Sequence, residues 1–176
     1  MHRAPKQNKG IALLEVLISL VIISVGLLGV AALQIGSFKD NIQSKQYEAA
    51  SYALHQLVER LSSNSTAVAL SYYDFNNLAA AKKDTLPNDS CTDNSTAECQ
   101  AKQDLSVWYQ QVKASLPSPR ISISTNTSIA SGAQITAQIV WDAALKNNSS
   151  ADYAQVCDKT KVDSYQCNQV VIWLKN

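Results

Sequence analysis

The spacing of apolar residues changes three times along this chain. Over residues 11–33 almost every position is apolar, and Glu15 is the one charged residue. Over 42–61 the apolar positions thin to Ile42, Ala49, Ala50, Ala53, Leu54, Leu57, Val58 and Leu61. That i, i+3, i+4 stripe predicts an amphipathic helix. No proline falls between 11 and 65, so one helix is expected from about Ile11 to about Leu61. It would be about 75 Å long at 1.5 Å per residue. Its first half is apolar all round and its second half on one side only. Ser62, Ser63, Asn64, Ser65 and Thr66 are then expected to stop it.

A shorter helix is expected over 103–116, with Leu105, Trp108, Tyr109 and Val112 on one side. Pro117 and Pro119 end it. The period then drops to two. Ile121 and Ile123 alternate with serines, and Ile135, Ala137, Ile139 and Trp141 alternate with Thr136, Gln138 and Val140. These predict two half-buried strands, with Ser131 and Gly132 in their connection, and 170–174 predicts a third. Tyr72, Tyr73 and Phe75 either pack on the long helix, the preferred reading, or form a surface for a partner. Residues 88–98 and 142–163 read as polar loops, and between Cys157 and Cys167 the residues Asp158, Lys159, Lys161, Asp163 and Tyr165 are expected to be exposed. Three strands with one apolar face need a cover, and the striped half of the long helix supplies it.

The fully apolar stretch changes what this helix is for. Residues 11–33 rise about 35 Å as a helix, enough for roughly 30 Å of hydrocarbon. Arg3, Lys6 and Lys9 precede it with no acid among them, which holds that end in the cytoplasm and sends the rest across. An ordinary secretory signal places its cleavage site after an apolar region of roughly 7–15 residues. Here the candidate junction, Gly10–Ile11, comes before the apolar run, so cutting leaves that run on the mature chain. Glu15 is costly in a bilayer, about 2.5–3.5 kcal/mol at mid-helix and less near the interface. Either it stays close enough to the surface to remain wet, or it awaits a positive partner. The amine freed on Ile11 of a neighbouring chain is such a partner.

The run Gly10, Ile11, Ala12, Leu13, Leu14, Glu15, Val16, Leu17, behind its basic leader, resembles the processing motif of type IV pilins and type II secretion pseudopilins. The family most often has phenylalanine or methionine where this chain has Ile11. The stretch from Val25 through Gly26, Gly29 and Ala32 to Gln34 is similar to that of PilV-type minor pilins. The distal half of the segment lacks the proline of many major pilins, which favours a minor subunit. The resemblance is strong over about the first third of the chain and elsewhere extends to layout alone.

The resemblance implies an α+β, type IV pilin-like fold: a long N-terminal helix on a small antiparallel sheet. It divides the chain into a cleaved leader, 1–10, the transmembrane or filament-core half-helix, 11–38, its amphipathic half, 39–66, and a globular periplasmic part, 67–176. It implies cutting between Gly10 and Ile11 by a prepilin peptidase, N-methylation of Ile11, and Glu15 as the assembly residue. Implied partners are that peptidase, other minor pilins, the major pilin and the inner-membrane assembly platform. The expected location is the inner membrane, single-pass with the C-terminal part in the periplasm, and then the pilus fibre. A type II secretion minor pseudopilin and a fibre-borne adhesion or DNA-binding subunit are the alternatives.

The rest of the composition fits an exported chain. Of 176 residues only 16% are charged, below the roughly 25% of average proteins. The net charge is +1, and without the leader twelve basic face fourteen acidic side chains. That balance argues against general nucleic-acid binding, which rests on basic contacts to phosphate. Cys91, Cys99, Cys157 and Cys167 all follow the anchor. Four cysteines allow three connectivities. Local pairing, Cys91 with Cys99 and Cys157 with Cys167, is preferred because each pair brackets a short polar loop. No C-x-x-C pair is present and His55 is the only histidine beyond the leader, so no metal or cofactor is expected. No phosphate loop, nucleophile elbow or zinc-protease motif occurs, and no enzymatic activity is expected. Gly26, Gly29 and Gly36 fall within about 80° on a helical wheel. They read equally as weak spots in the helix or as close-packing positions.

Overall fold

The computed structural model describes residues 9–69, 71–82, 84–88, 90–91, 96–129, 132–144, 153, 157 and 165–175. The leader before Lys9, Lys83 and most of the 142–163 loop, including Asp158, Lys159, Lys161 and Asp163, lie outside them. The chain divides into two units, Met1–Gln43 and Ser44–Asn176. Helix α1, Lys9–Ser63, supplies the described part of the first and enters the second.

In the second unit α1 buries Ala50, Ala53, Leu54, Leu57 and Leu61, the stripe that its 3.6-residue period sets on one face. The serine cluster ends α1 at Ser63, where Ser62 and Ser63 return their hydroxyls to the carbonyls of Val58 and Arg60. The chain does not leave helical geometry there. Asn64 makes a single turn and helix α2, Ser65–Ala69, follows at once.

Helix α3 runs Ala97–Ser115, six residues earlier at its start than the apolar spacing indicates. Thr96 is the reason: its hydroxyl accepts from the Cys99 amide at 3.2 Å, with Glu98 in the first turn. Ala97 and Glu98 therefore belong to the helix and not to a polar loop. Cys99, Ala101, Leu105, Trp108, Tyr109 and Val112 face the core. Trp108 donates from Nε1 to the carbonyl of Ala53 on α1 at 2.7 Å. Arg60 on α1 pairs with Asp104 on α3 at 2.9 Å, and the Tyr73 hydroxyl donates to the same carboxylate at 3.1 Å.

The sheet is four-stranded and antiparallel throughout, in chain order. Its strands are β1, Phe75–Asn76, β2, Arg120–Ile129, β3, Gly132–Asp142, and β4, Tyr165–Lys175. Ile121 pairs with Ile139, Ile123 with Ala137, and Ile135 with Ile172, so the apolar positions share one face. Gly132 has φ 149°, a backbone that favours glycine, where the chain turns from β2 into β3. Strand β1 is new relative to the apolar pattern; two residues carry no readable alternation. Strand β4 begins five residues before 170 because β3 pairs with it along its whole length. Asp142 and Tyr165, read as loop residues, form the last rung of that ladder. Asp142 is buried and Tyr165 half-buried.

The main core lies between α1, α3 and the sheet, with Tyr73, Trp108, Trp141, Leu57, Leu61, Ile121, Ile135 and Ile139 fully buried. Buried Asn77 ties β1 to its surroundings. Its Oδ1 accepts from the Ile121 amide at 2.7 Å, and its Nδ2 donates to the Thr85 carbonyl and to the Tyr109 hydroxyl. On the other sheet face Leu78, Val140 and Tyr153 form a small second cluster. The Arg120 guanidinium lies 3.9 Å from the Tyr153 ring centre and donates to the Leu78 carbonyl. Burial pushes the Tyr153 phenol up to about 12, with Arg120 acting in the opposite sense.

Candidate processing and assembly segment

The junction Gly10–Ile11 lies in the first turns of α1, and Glu15 follows it by four residues. The spacing sets Glu15 roughly one helical turn beyond the mature amine that a cut at this junction would create. Glu15 is exposed, as is every described side chain of the first unit from Leu13 to Asn41. Leu13, Leu14, Val16, Leu17, Ile18, Leu20 and the large apolar residues that follow them through Ile42 are all exposed.

Apolar side chains exposed on all sides of a helix belong in a nonpolar surrounding. Each fully covered one contributes about 1.5–3 kcal/mol. The helix is long and apolar enough to cross a membrane. Its polar residues are adapted to such a medium. Ser19 donates to the carbonyl of Glu15 and Ser24 to that of Leu20, both at 2.7 Å, so neither hydroxyl proton is left without an acceptor. Among the described residues Glu15 has no ion-pair partner.

Gly26, Gly29 and Gly36 sit on this uncovered helix. A Cβ at any of them would meet nothing within 4 Å. Packing among the described residues therefore does not require glycine at these positions. With Glu15 and Ser19 they share a sector of about 100° at 100° per residue.

The cysteines serve the second unit. Cys91 is joined to Cys99, in the first turn of α3, with Cα atoms 5.5 Å apart. Cys157 is joined to Cys167, on β4, with Cα atoms 5.3 Å apart. Each bond fastens an irregular segment to a regular element. Tyr153 adds a third fastening: its amide donates to the Leu78 carbonyl at 3.0 Å, and its ring meets that of Tyr165 at 4.5 Å. The polar run around Tyr153 hides this anchor in the sequence; an isolated aromatic in such a run is the only sign of it. Among the described residues no group of three or more His, Cys, Asp or Glu side chains is placed to hold a metal ion.

Residues 5–31 match the family model described as the prokaryotic N-terminal methylation motif. The match takes in Lys6, Lys9, the Gly10–Ile11 junction, Glu15 and most of the apolar run. No curated protein and no solved structure matches the chain significantly. A prepilin-type N-terminus, an uncovered apolar helix and a helix-on-sheet α+β fold together support a type IV pilin-like protein.

Proposed function

We propose that the chain is a minor type IV pilin of the PilV type, a structural subunit of the complex that primes pilus assembly and stands at the fibre tip. A prepilin peptidase cuts between Gly10 and Ile11 and methylates Ile11. The mature chain sits in the inner membrane with residues beyond the anchor in the periplasm. Other minor pilins, the major pilin and the assembly platform are its partners. The observation that carries this reading is the methylation motif at 5–31 on a helix whose described apolar side chains are exposed.

The chemistry of assembly is non-covalent. Drawing the helix from the bilayer into a bundle of like helices exchanges lipid contacts for helix contacts. Glycines at 26, 29 and 36 let backbones approach closely there. Glu15 sets the register, because a carboxylate buried among helices is strongly disfavoured until it meets a positive charge. The amine on Ile11 of the adjacent subunit is that charge. Serines 19 and 24, already satisfied within the helix, make no such demand.

Glu15→Ala is accordingly expected to be cut normally and to be absent from, or strongly depleted in, sheared fibres when it is the only copy. Immunoblots of membranes and of sheared fibres measure both. Wild-type incorporation of the alanine variant would reject the role given to Glu15.

A further inference from the structure

The sheet of the second unit turns one face to the core, where Ile121, Ile123, Ile135, Ala137 and Ile139 are buried. The residues between them point the other way, as the pleat requires. Pairing sets these outer residues in rows across β2, β3 and β4. Ser122 pairs with Gln138 and Gln138 with Gln169; Ser124 pairs with Thr136 and Thr136 with Val171. The third row is Asn126, Gln134 and Trp173. In each row the β4 residue is exposed and the β3 residue half-buried. None of these positions carries a charge. Arg120, one row before them, is buried against Tyr153, and Lys175 lies one row beyond, at the end of β4.

Hydroxyls and carboxamides both donate and accept. Gln138 donates from Nε2 to Gln169 Oε1 at 3.1 Å, which orders two amide planes on the face. One bond exhausts neither carboxamide. Beside this pair, Trp173 is 64% and Val171 43% exposed. They adjoin on one strand face, about 7 Å apart along it. The rows thus combine an uncharged field of hydrogen-bonding groups with an apolar edge that ends in an open indole ring. Three strands are about 10 Å across, and the first row is about 13 Å from the third.

We infer that this outer face of the sheet is a binding site for a neutral glycan, with Trp173 stacked on a pyranose ring and Gln134, Gln138 and Gln169 bonding its hydroxyls. The chemistry of the face selects this occupant. Nucleic acid and anionic lipid are held by basic side chains, and the rows have none. The centre of a protein interface is mostly apolar, whereas apolar side chains here are confined to β4. A sugar ring carries hydroxyls around its rim and a flat patch of C–H bonds on its face. The hydroxyls suit the carboxamides, and the C–H patch suits the negative face of an indole. An uncharged field leaves no charge unpaired when such a ligand displaces water. The site lies wholly in the second unit, so it does not depend on the pilin reading and is tested apart from it.

The test is isothermal titration calorimetry of the full chain in micelles of a detergent without a sugar headgroup. The probes are β-linked hexasaccharides of glucose, galactose, mannose and N-acetylglucosamine, with a heparin-derived hexasaccharide as the charged comparison. At least one neutral probe is expected to bind with a Kd of about 1 mM or tighter, and the heparin fragment at least about tenfold more weakly. Trp173→Ala is expected to weaken binding by about tenfold or more, Gln169→Ala to weaken it severalfold, and Trp173→Phe to weaken it less than Trp173→Ala. Tyr52→Ala removes an aromatic that is 65% exposed on α1 and is expected to change nothing. A melting temperature like the parent's verifies that the sheet is intact in each variant. Should Trp173→Ala unfold, Gln169→Ala decides, because its exposed carboxamide supports no core. Binding of no neutral probe, equal binding of the heparin fragment, parent affinity in the deciding variant, or an equal loss in Tyr52→Ala would overturn the proposal.

Discussion

Two buried aromatic residues show how single side chains hold the second unit together. Trp108 fills the space between α3 and α1 and reaches the Ala53 carbonyl through its indole nitrogen. Trp108→Ala leaves a cavity and removes the indole's hydrogen bond to the Ala53 carbonyl. The expected loss is about 3–5 kcal/mol, a large part of the 5–15 kcal/mol that natural domains have in total. Urea unfolding followed by circular dichroism measures it, and a loss below about 1 kcal/mol would show that α1 and α3 do not depend on this contact. Tyr73 is held differently. Burial first, and the neighbouring Asp104 carboxylate second, push its phenol up to about 12 from the ordinary 10. A raised folded value favours the protonated form. The stabilisation is therefore complete below pH 10 and is lost as pH rises from about 10 through 12. Melting temperatures of the full chain are expected to fall over that window, and Tyr73→Phe to fall less steeply. Identical slopes for the two proteins would contradict this account of Tyr73.

At the scale of elements, the cross-links have a similar arithmetic. The bonds Cys91–Cys99 and Cys157–Cys167 span eight and ten residues. Each closure of that length is expected to contribute about 2–3 kcal/mol. The double variant Cys91→Ser with Cys99→Ser should lower unfolding free energy by that amount, and a reductant should then have a smaller effect on it than on the parent chain. A variant as stable as the parent would mean that the loop is held without its bond. Elements with a strong period were legible from the residues alone: the α1 stripe from Ala50 to Leu61, the Leu105–Trp108–Val112 face of α3, and the alternation of β2 and β3. What could not be read lay where tertiary contacts decide. The start of α3 depends on the Thr96 cap, which the surrounding polar residues mask. Strand β1 exists because Asn77 and the edge of β2 hold it. The first half of β4, with Gln166, Cys167, Asn168 and Gln169, carries no strand pattern and is shaped by β3. Tyr153 looks like loop and is core.

At the scale of the whole molecule, the sequence feature that decides function is the one that the second unit does not explain. The described large apolar side chains of the first half of α1 are exposed, and a Cβ at its glycines would meet nothing within 4 Å. Such a segment makes sense only against lipid or against other helices. On the proposed reading the lone acid at Glu15 distinguishes these uses: a permanent anchor gains nothing from it, whereas an assembling one would gain a register. The account as a whole requires that the amine facing this acid be made by cutting at Gly10–Ile11. Intact-mass and N-terminal peptide mass spectrometry of the chain isolated from its native membrane tests this most directly. A mature chain beginning at Ile11 and carrying one methyl group is the result expected. A chain still beginning at Met1, or beginning beyond Ala32, would contradict it.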